Sequence, residues 1–134
     1  MSGADAAQGD GVVTKVSPRT VAETVARFSG IARAKGLRVF AVIDQAAEAR
    51  QAGLALRDTV LVVFGNPAAG TPVMVAAPLA ALDLPLKVVV WDDDGRTKVS
   101  YYSPDALAAR HHLGAGLAGN LAAVNALTDA LTAS

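Results

Sequence analysis

Asp44 and His111 have the side chains that acid–base catalysis needs, and Arg57 or Lys87 could neutralise an acidic substrate held between them. Imidazole titrates near neutrality and a carboxylate can pass or accept the proton, so this set would suit a small acidic substrate. A second set lies in the turn Phe64-Gly65-Asn66-Pro67-Ala68-Ala69-Gly70-Thr71-Pro72 and just beyond it. Gly65 and Gly70 allow close backbone approach, Asn66 can bond its own turn or a ligand, and Thr71-Pro72 reads as a helix entry. Arg57, Asn66, Gly70, Thr71, Met74 and Lys87 are therefore the candidate binding residues, with Asp44 and His111 as the candidate catalytic pair. Pro67 and Pro72 each remove an amide donor, which weakens a phosphate-cradle reading of the turn. Its plainer role is to turn the chain sharply.

Other patterns carry less chemistry. Gly114-Ala115-Gly116-Leu117-Ala118-Gly119 has the letters of GxGxxG, but no strand precedes it and no acid follows about 20 residues on, so it reads as a join between helices. His111 and His112, the two histidines, would point about 100° apart on a helix and do not favour one shared metal. Asp92 to Asp94 lacks the spacing and closing Glu of a calcium loop and reads as a solvated hairpin tip. No metal site is expected, and the sequence leaves the cofactor unknown.

The chain that must position these residues has 134 residues, twelve basic and twelve acidic, and no Cys. It is long enough to bury a core as one domain, residues 11–134, without disulfides or metal. A formal net charge of zero gives no basic field for nucleic acid. Residues 1–10 are small and polar and read as a flexible terminus, with neither a basic nor an apolar targeting region. The most apolar window is broken by Pro78, Asp83, Pro85 and Lys87, so no membrane partner is expected and the location reads as cytoplasmic.

The elements follow from caps and periodicity. Strand Gly11–Val16 leads to a capping box, Thr20 with Glu23, and a helix over Val21–Lys35 closed by Gly36. Strand Leu37–Ile43, a short helix over Ala46–Gly53 and strand Thr59–Phe64 come next, then a helical piece near Pro72–Leu82. Leu86–Trp91 and Thr97–Tyr102 form a hairpin turned at Asp94-Gly95, and Ser103-Pro104-Asp105 starts a helix. A last helix, capped by Asn120, carries Leu121, Val124, Leu127 and Leu131 on one stripe. The expected fold is an α/β two-layer domain of the α+β type: a mostly antiparallel sheet of about five strands, helices mainly on one face, a β-α-β start and C-terminal helices.

The strands are apolar on both sides. Leu37, Val39, Ala41 and Ile43 oppose Phe40 and Val42; Val60, Val62 and Phe64 oppose Leu61 and Val63; Leu86, Val88 and Val90 oppose Val89 and Trp91. If helices cover one face, the other needs a cover, and a second copy of the chain supplies one, giving a homodimer. Helices on both faces are the alternative.

The residues also carry a family resemblance. VID at 42–44, LALRDTVLVVFGNPAAGTPVM at 54–74, LDLPLKVVVW at 82–91, SYYSP at 100–104 and Arg110-His111 resemble the small bacterial family catalogued as domain of unknown function 302. The resemblance spans most of residues 12–131 and implies a dimeric α/β domain with an antiparallel sheet and no established activity. Family members often have His after the Asp of the first motif, where this chain has Gln45, and often Pro where it has Asp58; His111 is the matching histidine that remains. The expected function is a non-enzymatic homodimeric module that binds a small ligand or a protein partner near Asn66–Met74. The alternative is an enzyme using Asp44 and His111.

Overall fold

The structure, a computed structural model, describes residues 10–134; the stretch 1–10 read as flexible lies, apart from Asp10, outside the described residues. Strand β1 (Val12–Ser17) leads into helix α1 (Val21–Ala34). The Thr20 hydroxyl accepts from the Glu23 amide at 3.1 Å and the Glu23 carboxylate accepts from the Thr20 amide at 3.0 Å, which completes the capping box. Gly36 takes the left-handed φ of +71° that lets the chain reverse into β2 (Arg38–Asp44). Next come α2 (Gln45–Gln51), β3 (Thr59–Gly65), α3 (Pro67–Ala76) and a 3-10 turn (Pro78–Leu82). The chain finishes with β4 (Leu86–Asp93), β5 (Arg96–Tyr102), α4 (Pro104–Arg110), α5 (Ala115–Ala118), a 3-10 turn (Gly119–Leu121) and α6 (Ala123–Thr132).

The five strands form one antiparallel sheet in the order β1-β5-β4-β3-β2. Asp94 and Gly95 both take positive φ, 51° and 90°, as a two-residue hairpin turn with the twist of its strands requires. Paired residues share a face, and one face holds the core: Val62, Phe64, Val88, Val90 and Val99 lie under Phe28 of α1 and Leu127 and Leu131 of α6. Phe28 meets Phe64 edge to face at 5.2 Å between ring centroids. Lys15 also points into this layer with its side chain 6% exposed, and its ammonium donates to Thr128 Oγ1 at 2.8 Å and Asp129 Oδ1 at 2.7 Å. Burial alone would lower the Lys15 pKa, but the bonds to Asp129 and Tyr101 outweigh it and hold the ammonium above its ordinary value.

The second face differs from side to side. Leu61, Val63, Val89 and Trp91 line its β3–β4 part, half-buried. Toward β1 and β5 it mixes Val12 and Val16 with polar groups: Ser100 Oγ receives the Trp91 indole N–H at 3.0 Å and lies 2.8 Å from Thr14 Oγ1.

Several local expectations change. The alternation read for β2 breaks at a bulge, where Val39 pairs with Phe64 and Ala41 with Val63, leaving Phe40 as the extra residue. Val39 and Val42 therefore share the helix face, while Ala41 and Ile43 turn to the other. Helix α3 starts at Pro67 and not at Pro72, because Asn66 caps it: its Oδ1 accepts from the Ala68 amide at 3.0 Å and Pro67 takes the first helical position. The last helix starts at Ala123, and Asn120 lies in the preceding 3-10 turn instead of capping it.

Candidate functional site

Helix α3 and the turn after it bridge β3 to β4 at one end of the sheet, and this detour opens a cavity of about 220 Å³. One wall is the first two turns of α3, with Asn66, Pro67, Ala69, Gly70, Thr71 and Met74. Ala81, Leu84, Pro85 and Leu86 form a second wall, Leu37 and Phe40 a third, and Asn120, Leu121 and Ala123 the last. Asn120 anchors its wall to α3 by donating its amide N–H to the Ala69 carbonyl at 3.0 Å. None of the lining residues is charged.

The first turn of α3 keeps its own donors. Pro67 has no N–H, the Ala68 amide bonds the Asn66 side chain, and the Ala69 and Gly70 amides both bond the Asn66 carbonyl at 2.9 Å. Three polar groups of lining residues have no side-chain hydrogen bond among the described residues: the Asn66 amino group, the Asn120 side-chain carbonyl and the Thr71 hydroxyl. Gly70 leaves room: a Cβ built there meets nothing nearer than Leu84 Cδ1 at 4.0 Å.

Of the residues singled out from sequence, Asn66, Gly70, Thr71 and Met74 come together on this wall, and Arg57 and Lys87 do not join them. Arg57 lies beyond the far end of the sheet, 3.8 Å from Asp93, whose carboxyl is held below its ordinary value by a hydrogen bond from Lys98. Lys87 follows the cavity-lining Leu86 but points away by strand alternation, and its ammonium donates to the Pro85 carbonyl at 2.9 Å.

Asp44 and His111 occupy opposite ends of the molecule. Asp44 caps α2, its Oδ1 accepting from the Ala47 amide at 2.9 Å, and lines an open depression with Asp58 and Thr59. It pairs with Val60 and so lies level with Val90, roughly 13 Å along β4 from Leu86 at the usual rise per residue. His111 belongs to the Leu86 end. Its Nε2 lies 2.6 Å from Asp83 Oδ2, and since a carboxylate can only accept, Nε2 carries the proton. The Arg110 guanidinium donates to both Asp83 oxygens at 3.1 and 3.2 Å. Burial pushes the Asp83 carboxyl up, but the bonds from His111 and Arg110 outweigh it and hold the group below the ordinary carboxylate value. Asp83 directly precedes the cavity-lining Leu84, so this cluster braces the second wall from behind.

Sequence reading missed Asn120, Asp83 and Phe40. Asn120 reads as a helix cap in the sequence; Asp83 belongs to no catalytic motif; Phe40 reaches the cavity because of a bulge with no residue signature. The LDLP run that contains Asp83 was the one available pointer.

Residues 13–133 match the family described as Domain of unknown function DUF302. The chain belongs to the DUF302 family. Its fold agrees with the crystal structure of an uncharacterized conserved protein DUF302 from Bacillus stearothermophilus, with a TM-score of 0.78 at 21% identity, covering 91% of this chain and 95% of that one. Over 105 residues this DUF302 chain is 41% identical to a protein named Fluoride-specific ion channel FluC 1 of Brucella suis, a match covering 78% of this chain and 41% of the relative. The protein of the same name from Brucella abortus is also 41% identical over 105 residues, covering 39% of its own length. The DUF302 chain thus spans about two fifths of these curated relatives. Among its described residues, no helix is long and apolar enough to cross a membrane.

Proposed function

We propose that this DUF302 chain is a non-enzymatic binding module that pairs with a second copy of itself and takes a small ligand in the cavity beneath α3. The observation that carries the reading is that four of the sequence-selected residues, Asn66, Gly70, Thr71 and Met74, line one cavity of about 220 Å³ together with mainly apolar neighbours. A concave apolar site with a few convergent polar groups is the usual form of a small-molecule site. The half-buried apolar strip Leu61, Val63 and Val89 supports the pairing, since it lies beyond the Thr14, Ser100 and Trp91 hydrogen bonds on the second sheet face.

The separation of Asp44 from His111 disfavours the enzymatic alternative, which needs the two on one substrate. The Brucella proteins agree with an accessory role. Each is named as an ion channel, and the matched segment is a minor part of it. Because the described residues of this chain hold no helix long and apolar enough to cross a membrane, we read that segment as a binding module joined to the channel.

A thermal-shift screen of metabolites tests the binding reading: a ligand at 100 times its Kd should add about 2.7 kcal/mol of stability. A flat screen across chemical classes would remove it.

A further inference from the structure

Resting on that binding reading, we infer the class of ligand: a small uncharged amphiphile with an apolar body, aromatic or branched, and one hydrogen-bonding end such as a hydroxyl or an amide. Size sets the first bound. An apolar cavity of about 150 Å³ holds benzene, so 220 Å³ holds a body of about nine non-hydrogen atoms.

Charge sets the second. No lining residue is charged, and burying an ion against such walls is costly. The ionic groups nearest the cavity walls are committed elsewhere. Asp83 holds Arg110 and His111, Lys87 bonds Pro85 from the far side of β4, and the Arg38 guanidinium stacks 5.1 Å from the centroid of Phe40, outside the lining. The helix start does not recruit an anion, because its amides are bonded within the Asn66 cap.

The polar atoms set the third. Asn66 uses its Oδ1 and keeps its amino group, while Asn120 uses its amino group and keeps its carbonyl. With the Thr71 hydroxyl beside them, the site offers one donor, one acceptor and one group that is both. A hydroxyl or amide can use both roles; a carboxylate can only accept and an ammonium only donate.

Benzyl alcohol and benzoate, similar in size and different in charge, test this by amide-resolved NMR titration of the full chain. Benzyl alcohol should give saturable shifts at Gly70, Leu84 and Leu121 and bind at least about tenfold tighter than benzoate, the desolvation of the anion making the difference. Gly70→Leu, which grows into the open space, should weaken benzyl alcohol at least about tenfold while keeping the spectrum of a folded chain. If that variant does not fold, Ala81→Leu fills the space from an exposed position on the opposite wall. Benzoate shifting the same amides as strongly would overturn the uncharged class and leave the binding reading standing. Saturable binding unaffected by either filling variant would place the ligand elsewhere and overturn the assignment to this cavity. No saturable shift with either probe would overturn the class also, and the metabolite screen then decides separately whether the site binds anything.

Discussion

Asp83 holds two basic side chains at one end of the sheet and touches the cavity through its neighbour Leu84. Its carboxyl is depressed in the folded chain, so the unfolded chain takes up a proton there first as pH falls. The stability it contributes is therefore present above the ordinary Asp value near 3.9 and is lost as pH drops through the lower folded value. Asp83→Asn should cost about 1 kcal/mol at pH 7, a modest figure because Arg110 is partly exposed and water screens the pair. Urea unfolding of both proteins from pH 7 to pH 2.5 measures it: the gap should narrow toward the acid end, and a gap that stayed constant would mean the carboxylate charge is irrelevant. Lys15 shows the opposite sign. Its pKa is raised, so its contribution is full below the unfolded value near 10.4 and fades only as alkali passes the folded one.

At the scale of elements, signals that depend on neighbours in sequence were legible and those that depend on packing were not. The Thr20-Glu23 box, the Asp94-Gly95 turn and the Ser103-Pro104 start all act within four residues, and each forms as the residues dictate. The β2 bulge has no such marker, because Phe40 leaves the ladder to pack beside Gly65 and Pro85, which are distant in sequence. Asn120 likewise reads as a helix cap until the Ala69 carbonyl is placed beside it. Helix α3 was half-legible: Asn-Pro is a good cap and first residue, yet Pro72 competes for the same role five residues later. Two substitutions separate these cases. Thr20→Ala should cost about 1 kcal/mol through loss of the cap. Gly70→Ala should be neutral or stabilise by up to about 1 kcal/mol, because its Cβ meets only ordinary contact in mid-helix. Chemical denaturation of the pair reads both, and a destabilised Gly70→Ala would show that the cavity wall is tighter than its geometry.

For the molecule as a whole, the two sides of the sheet have different fates. The helix side is closed by α1 and α6, whereas on the other side the polar ties of Thr14, Ser100 and Trp91 end where Leu61, Val63 and Val89 begin. A two-fold contact that set these apolar strips against each other would remove them from water and leave the hydrogen-bonded Thr14, Ser100 and Trp91 group toward the rim, the arrangement interfaces favour. Light scattering at micromolar concentration should then give twice the chain mass of 13.6 kDa. Val89→Glu discriminates further. In an isolated chain it places a carboxylate on a half-buried sheet surface beside Leu61 and Ser100, a change of about 1 kcal/mol or less. In a dimer it buries that charge against apolar groups without a partner, which costs several kcal/mol and should release folded monomers. A native chain that scatters as 13.6 kDa, or a Val89→Glu variant that keeps the doubled mass, would exclude this face as the contact.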